Sequence, residues 1–271
     1  MNIQVTEYKP SYPLSSYVHS FWTGVFNVSR DKNFSQLVVP NGYIELIIHL
    51  TEDHCALTKN NKQWDNSPDH TLIGLYTKPY EVKFSNLVNT FGIRFFPEGI
   101  YNLFKVPPAK IIGTYEDSED VFGKPFREFC DRIKDKNNTT NLIAYAEQVL
   151  LRKLEENQND HDYIKKAATI IRNHQGMLTQ SELMSKVPIS ERQLQREFKN
   201  RIGITAKKYM RIARMNAIQK YMQQADSFDF SFLTYEYGFA DQSHFIREFK
   251  RLTGNSPRSF RNKENDYIIN P

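Results

Sequence analysis

One phrase occurs twice in this chain, and it narrows the possible fold more than any other feature. REFKNRIGIT begins at Arg196 and REFKRLTGNS at Arg247, 51 residues later. Arg, Glu, Phe, Lys and Gly keep their places, and Thr205 becomes Ser256. On a helical wheel Leu194, Phe198 and Arg201 share one face of the first copy. Arg192, Arg196 and Lys199 lie opposite, with Gln195 on the flank. In the second copy Phe245, Phe249 and Leu252 form the apolar face, opposite Ser243, Arg247 and Lys250, with Gln242 and Ile246 flanking. Ser190 and Asp241 stand at equivalent places just ahead and suit N-caps. A short helical stretch and a turn precede each copy: SELMSKVPIS and FLTYEYGFAD. The pattern is that of a helix-turn-helix with a basic outer face.

A helix of this kind fits the major groove of B-DNA, roughly 12 Å wide, where Arg pairs with guanine and Gln with adenine. Lys side chains and capped helix N-termini suit phosphates. The charge sits in the same region. The chain has 271 residues and a net charge of +5. Residues 1–159 hold 17 Lys and Arg against 19 Asp and Glu, whereas residues 160–262 hold 18 against 10, a net of +8. That imbalance points to a polyanionic partner. On charge alone, a solvated basic face with no partner is an equal reading. Seven helices are expected, at 161–174, 179–186, 190–201, 205–224, 229–237, 241–252 and 256–262, punctuated by Gly176, Pro188, Gly203, Gly238 and Gly254. The helix at 205–224, about 30 Å long at 1.5 Å per residue, is a spacer candidate. Helices held about 34 Å apart would meet successive major-groove turns.

The first 96 residues read as strands. YVHSFWTGVF, QLVVP, YIELIIHL, TLIGLY, YEVKF and VNTFGIRFF are rich in β-branched and aromatic residues, separated by turn-formers. A small cupin-like barrel or sandwich is expected. Pro97 fits the first turn of a helix, PEGIYNLFKV, ended by Pro107 and Pro108. From Ser118, a possible cap, the period becomes helical, with Gly123 and Pro125 interrupting. Leu142, Ala146, Val149, Leu150 and Leu154 then form a stripe that fits either a dimer seam or docking on the chain's own domain. Residues 156–160 are the linker candidate.

GFADQSHFIREFKRLTGNSPRSFR, residues 238–261, closely resembles the signature of the AraC-type family of bacterial transcription regulators. ISERQLQREFKNRIGITAKKYM resembles that family's other helix-turn-helix, and the likeness spans residues 161–262. It implies a seven-helix DNA-binding domain with two recognition helices. The DNA-reading positions it implies are Arg192, Gln193, Gln195 and Arg196, then Gln242, Ser243, His244 and Arg247. Lys199 and Lys250 join them as phosphate contacts. Thr234 stands where the family usually has a small Ala, and Met184 holds the equivalent place in the first copy, so both need local repacking. LVVPNGYIELIIHL and FGIRFFPEGIYNLFKVPP look like the sensor-like halves that precede many such domains. The expected class is therefore α+β, in four parts. They are a β-rich sensor-like domain at 1–113, a helical connector at 114–157 that could dimerise, a double helix-turn-helix domain at 158–262 and a tail at 263–271.

The N-terminal half shows no catalytic motif. His19, His49, His54 and His70 lie there with Cys55, but His49 and His54 are five apart, a spacing no zinc motif requires and one that suits opposite ends of a loop. Glu45 and Arg94 interrupt two apolar strands. Facing inward, they could orient a polar effector or pair with each other; alternation equally allows both to face solvent. His161 and His174 read as surface residues. The leading expectation is a sequence-specific transcription regulator and not an enzyme, without cofactor or metal. Its expected partners are double-stranded DNA, with RNA polymerase, a small-molecule effector and a second copy of the chain as further possibilities. The alternative is a metal-dependent or hydrolytic enzyme domain fused to a DNA-binding module; a third is a non-specific architectural DNA binder. No apolar run approaches the 18 or so residues of a membrane span. The opening MNIQVTEYKP lacks a signal-peptide pattern, and the two cysteines, Cys55 and Cys130, lack CxxC spacing. These features set the expectation of a cytoplasmic bacterial protein, nucleoid-associated when bound to DNA.

Overall fold

Two sheets, stacked face to face, form the N-terminal half in the computed structural model, which describes residues 2–28, 34–59, 63–84, 86–157, 162–225, 229–262 and 267–268. The strands in chain order are β1 (Asn2–Tyr8), β2 (Val18–Val28), β3 (Phe34–Val38), β4 (Ile44–His49), β5 (Ala56–Lys59), β6 (Gln63–Asn66), β7 (His70–Ile73), β8 (Tyr80–Phe84), β9 (Asn86–Phe95), β10 (Tyr115–Asp117) and β11 (Tyr267–Ile268). One sheet runs β1-β2-β9-β4-β7-β10 and the other β11-β3-β8-β5-β6. The architecture is thus a sandwich, the second of the two expected forms. The long central strands are covered on both faces, which is why VNTFGIRFF reads as a nearly continuous apolar run.

The outer face of the six-stranded sheet carries the main core. Phe21, Leu46, Ile48, Phe91 and Ile93 pack there beneath helices α1 (Pro97–Phe104), α2 (Ser118–Phe122), α3 (Lys124–Lys134) and α4 (Thr139–Glu156). Asp117, rather than Ser118, caps α2: its side chain accepts from the Glu119 amide, and Ser118 is the buried first helical residue. Gly123 ends α2, and α3 starts at once with Pro125 in its first turn. The stripe on α4 settles inward, with Leu142, Ala146 and Leu150 buried against its own chain. Glu156 and Asn157 end α4; the rest of the 156–160 linker stretch and His161 lie outside the described residues.

The C-terminal half is helical as expected, with α5 (Tyr163–Asn173), α6 (Gln180–Ser185), α7 (Glu191–Ile202), α8 (Ala206–Gln224), α9 (Phe230–Glu236), α10 (Gln242–Thr253) and α11 (Pro257–Asn262). Phe198, Phe245, Phe249 and Phe260 are fully buried. Each buried aromatic of this kind contributes about 1.5–3 kcal/mol relative to exposure, so Phe249→Ala would cost about 3–5 kcal/mol. α8 touches α5 and α7 as well as α10. Buried residues therefore ring much of it (Tyr209, Met210, Ile212, Met215, Ile218 and Met222). This apolar core is continuous with that of the outer sheet face.

Candidate functional site

Two helix-turn-helix units stand in the C-terminal half. In the first, Thr179 caps α6 in a reciprocal capping box with Glu182, and Ser190 caps α7 by accepting from the Gln193 amide. In the second, Asp229 caps α9 and Asp241 caps α10, accepting from the His244 amide at 2.7 Å. Each cap is worth about 1 kcal/mol and fixes where the helix begins. The two caps stand 11 positions apart in the first unit and 12 in the second. The second turn contains Gly238 at φ +65°. Thr234 is buried and satisfies its hydroxyl by donating to the Phe230 carbonyl at 2.7 Å, whereas Met184 lies at the edge of the core.

Burial sorts the two longer helices as the wheels require. Leu194 and Phe198 on α7, and Phe245, Phe249 and Leu252 on α10, face the core. Arg192, Gln193, Gln195, Arg196 and Lys199 are exposed, as are Gln242, Ser243, Arg247 and Lys250. His244 is half-buried, its ring edge-on to Phe239 at 5.5 Å. Gln195 donates to Glu191 at 3.1 Å, and Arg196 pairs with Glu197 at 3.0 Å. An exposed pair of that sort is worth at most about 1 kcal/mol and yields readily to a phosphate or base. α7 and α10 thus each present an uncovered cationic and amide surface on a fixed apolar backing.

The first unit is joined to the N-terminal half through buried charge. Only Phe96 separates β9 from α1. Glu98 on α1, wholly buried, takes a 2.6 Å bond from Arg172 on α5. Arg172 also reaches the Tyr209 hydroxyl at 3.0 Å and lies 3.9 Å from the Phe96 ring centre. Burial raises the Glu98 pKa, and Arg172 partly counters that. Asp162 caps α5, accepts from Asn102 at 2.7 Å and pairs with Arg201 at 3.4 Å. Arg201 sits 4.8 Å from the Tyr101 ring centre. This explains its place on the otherwise apolar face of α7: it serves the junction, not the outer surface.

Between the two sheets lies a cavity of about 190 Å³. Trp22, Phe26, Leu57, Val82 and Phe84 form apolar walls, and Glu45 and Arg94 are among its lining. Both charges therefore face inward, and they also pair: Arg94 Nε donates to Glu45 Oε1 at 2.7 Å and its other arm reaches Glu7. His49 ends β4 and His54 lies near the far end of the loop to β5. Their rings stack at 4.3 Å. His49 Nε2 lies 3.2 Å from Ser67 Oγ and 3.5 Å from Cys55 Sγ. Burial pushes the Cys55 thiol up to about 11 and the His49 imidazole down to about 4. Both are neutral at pH 7, so the contact is a hydrogen-bonded core feature rather than a thiolate–imidazolium pair. Among the described residues no group of three or more His, Cys, Asp or Glu side chains is placed to hold a metal.

Residues 183–263 match a family model described as a helix-turn-helix domain, and residues 6–117 match a domain of unknown function, DUF6597. The structure is similar to that of ToxT from Vibrio cholerae, with TM-score 0.50 and 12% identity over 89% of this chain and 98% of that one. ToxT bound to (E)-4-(8-methylnaphthalen-1-yl)but-3-enoic acid gives TM-score 0.50, 14% identity and the same coverage. Residues 183–263 thus form a helix-turn-helix domain of the AraC type. The xylose-binding transcription activator xylR overlaps 45% of this chain and 38% of its own, with TM-score 0.33 and 17% identity. No curated protein matches by sequence.

The singled-out residues fall into two groups. The ten on α7 and α10 lie on two separate helices, and Glu45 and Arg94 meet at the sandwich cavity. Glu98, Asp162, Arg172 and Arg201, which tie the two halves together, carried no sequence signal beyond a charge beside apolar neighbours. Among the described residues no helix is long and apolar enough to cross a membrane.

Proposed function

We propose that this regulator reads one DNA site with both recognition helices, each in its own major-groove turn, and that occupancy of the sandwich cavity modulates this binding. The observation that carries the reading is the pair of outward basic faces on α7 and α10, each held by a buried apolar stripe and an N-cap. Arg192, Gln193, Gln195, Arg196, Gln242, Ser243, His244 and Arg247 are the base-reading set, and Lys199 and Lys250 hold phosphates. Residues 1–113 serve as the sensing domain, 114–157 as the connector, 158–262 as the DNA-binding domain and 263–271 as the tail. The neighbour's bound aryl acid supports a ligand role for the N-terminal half of this fold. The neutral Cys55–His49 contact supports a binding rather than catalytic use of that half. RNA polymerase and a second copy are further partners on this reading; the α4 stripe, being buried, is not the surface for either.

Site selection from random DNA with the full chain is the test. Arg196→Ala should cost about 1–3 kcal/mol and relax preference in one half-site. Arg247→Ala should do the same about one DNA turn away, 10–10.5 base pairs. Loss of preference at the same base positions in both variants would rule out the two-groove reading.

A further inference from the structure

Two charged side chains, Glu45 and Arg94, line the inter-sheet cavity, and Glu7 pairs with Arg94 beside them; their charge decides what can bind there. Ile3 and Val5 line the cavity from β1, and strand alternation puts Glu7 on the same face. Glu45 on β4 stands directly opposite Arg94 on β9. Arg94 is 3% exposed, and the side chains of Glu45 and Glu7 are 13% and 21% exposed. Arg94 donates to Oε1 of both carboxylates, and Asn41 adds a 3.1 Å bond to the same Glu45 oxygen. Among the described residues, Oε2 of Glu45 and Oε2 of Glu7 accept no hydrogen bond. Two carboxylates on one buried guanidinium leave the cluster one negative charge in excess.

The rest of the cavity is apolar and largely aromatic, with Trp22, Phe26, Tyr80 and Phe84 in its walls. Aromatic faces attract cations. The volume of about 190 Å³ is of the order of apolar cavities that hold benzene, roughly 150 Å³. An anionic head would have to draw Arg94 away from carboxylates already bonded to it, leaving them buried and unpaired. A cationic head instead completes the charge balance and finds two open carboxylate oxygens. We propose that the cavity binds a small arylalkyl amine, its ring among Trp22, Phe26 and Phe84 and its ammonium on Glu7 and Glu45. This rests on the cavity being the effector site, and it sets the ligand's charge opposite to that of the aryl acid bound by the structural neighbour.

Titration calorimetry on the full-length protein at neutral pH decides it, with 2-phenylethylamine, phenylacetate and 2-phenylethanol as probes. The amine should bind at least about tenfold tighter than either of the others, the buried carboxylates being its charge partners. Glu45→Gln and Glu7→Gln should each weaken the amine by about tenfold and leave the alcohol unchanged. Both are near-isosteric and keep an acceptor for Arg94, and unchanged melting temperatures would show that the fold is intact. If one variant does not fold, the other still carries the comparison. Phenylacetate binding as tightly as the amine overturns the charge assignment but leaves the cavity as the effector site. Amine binding indifferent to both substitutions overturns the placement. Failure of all three probes to bind removes the amine proposal and the cavity reading together.

Discussion

Burial holds the His49 imidazole neutral with its pKa near 4, and the charge of His54 acts in the same direction. His19 is lowered to about 4 as well, first by burial and then by Arg94, Arg172 and Lys220. Both titrate near 6.5 once unfolded. Above that pH they are neutral in both states and add no slope. Between 6.5 and about 4 the unfolded chain takes up protons that the folded chain refuses, so stability falls by about 1.4 kcal/mol per pH unit for each imidazole. Urea midpoints measured across that window should show the decline, and His49→Gln should remove close to one proton from the slope. A slope untouched by His49→Gln would place the acid-sensitive group elsewhere. Glu45 and Arg94 drew notice as charges in apolar strands, yet alternation could not say which face they took. The answer depends on the second sheet, which covers the face that a lone strand would leave to water. Glu98 and Arg172 were illegible for a related reason: a buried ion pair reads, residue by residue, like two surface charges.

The helices were more legible than the strands. Apolar spacing, caps and glycines located α5 to α11 within a few residues, because each of those signals is local. β1, β5, β6, β10 and β11 escaped notice. β6 is QWDN, largely exposed at a sheet edge, and hairpin pairing with β5 rather than its own composition makes it a strand. The glycines that end α7 and α10 separate two effects that sequence treats alike. Gly203 has φ +95° and Gly254 φ +79°, so a side chain at either position is strained by about 1–2 kcal/mol. A Cβ at Gly203 would also lie 2.4 Å from Ile112, whereas at Gly254 the nearest atom, on Pro79, is 3.3 Å away. Gly203→Ala should therefore lower the melting temperature clearly more than Gly254→Ala. Equal shifts in the two variants would mean that Ile112 gives way without cost.

Across the whole molecule, the net positive charge lies in the half that carries both recognition helices. DNA affinity should fall steeply with salt, with a logarithmic slope of about 0.9 for every phosphate neutralised. Lys199→Ala and Lys250→Ala should each reduce that slope by about 1 while leaving sequence preference intact. A slope unchanged by both would remove these lysines from the phosphate set. Sequence reading divided the chain correctly in kind, a β-rich half and a helical half, but gave no hint of how the halves meet, since ion pairs between distant segments leave no local trace. Glu98 and Asn102 belong to one side of that seam, and Arg172, Asp162 and Arg201 to the other. The two halves are therefore not interchangeable parts. Grafting a foreign sensing half onto residues 162–262 would strand the Arg172 guanidinium without Glu98, at about 3–5 kcal/mol, and take from Asp162 its bond from Asn102. Recombination between relatives of this chain would yield folded hybrids only where both sides of the joint are inherited together.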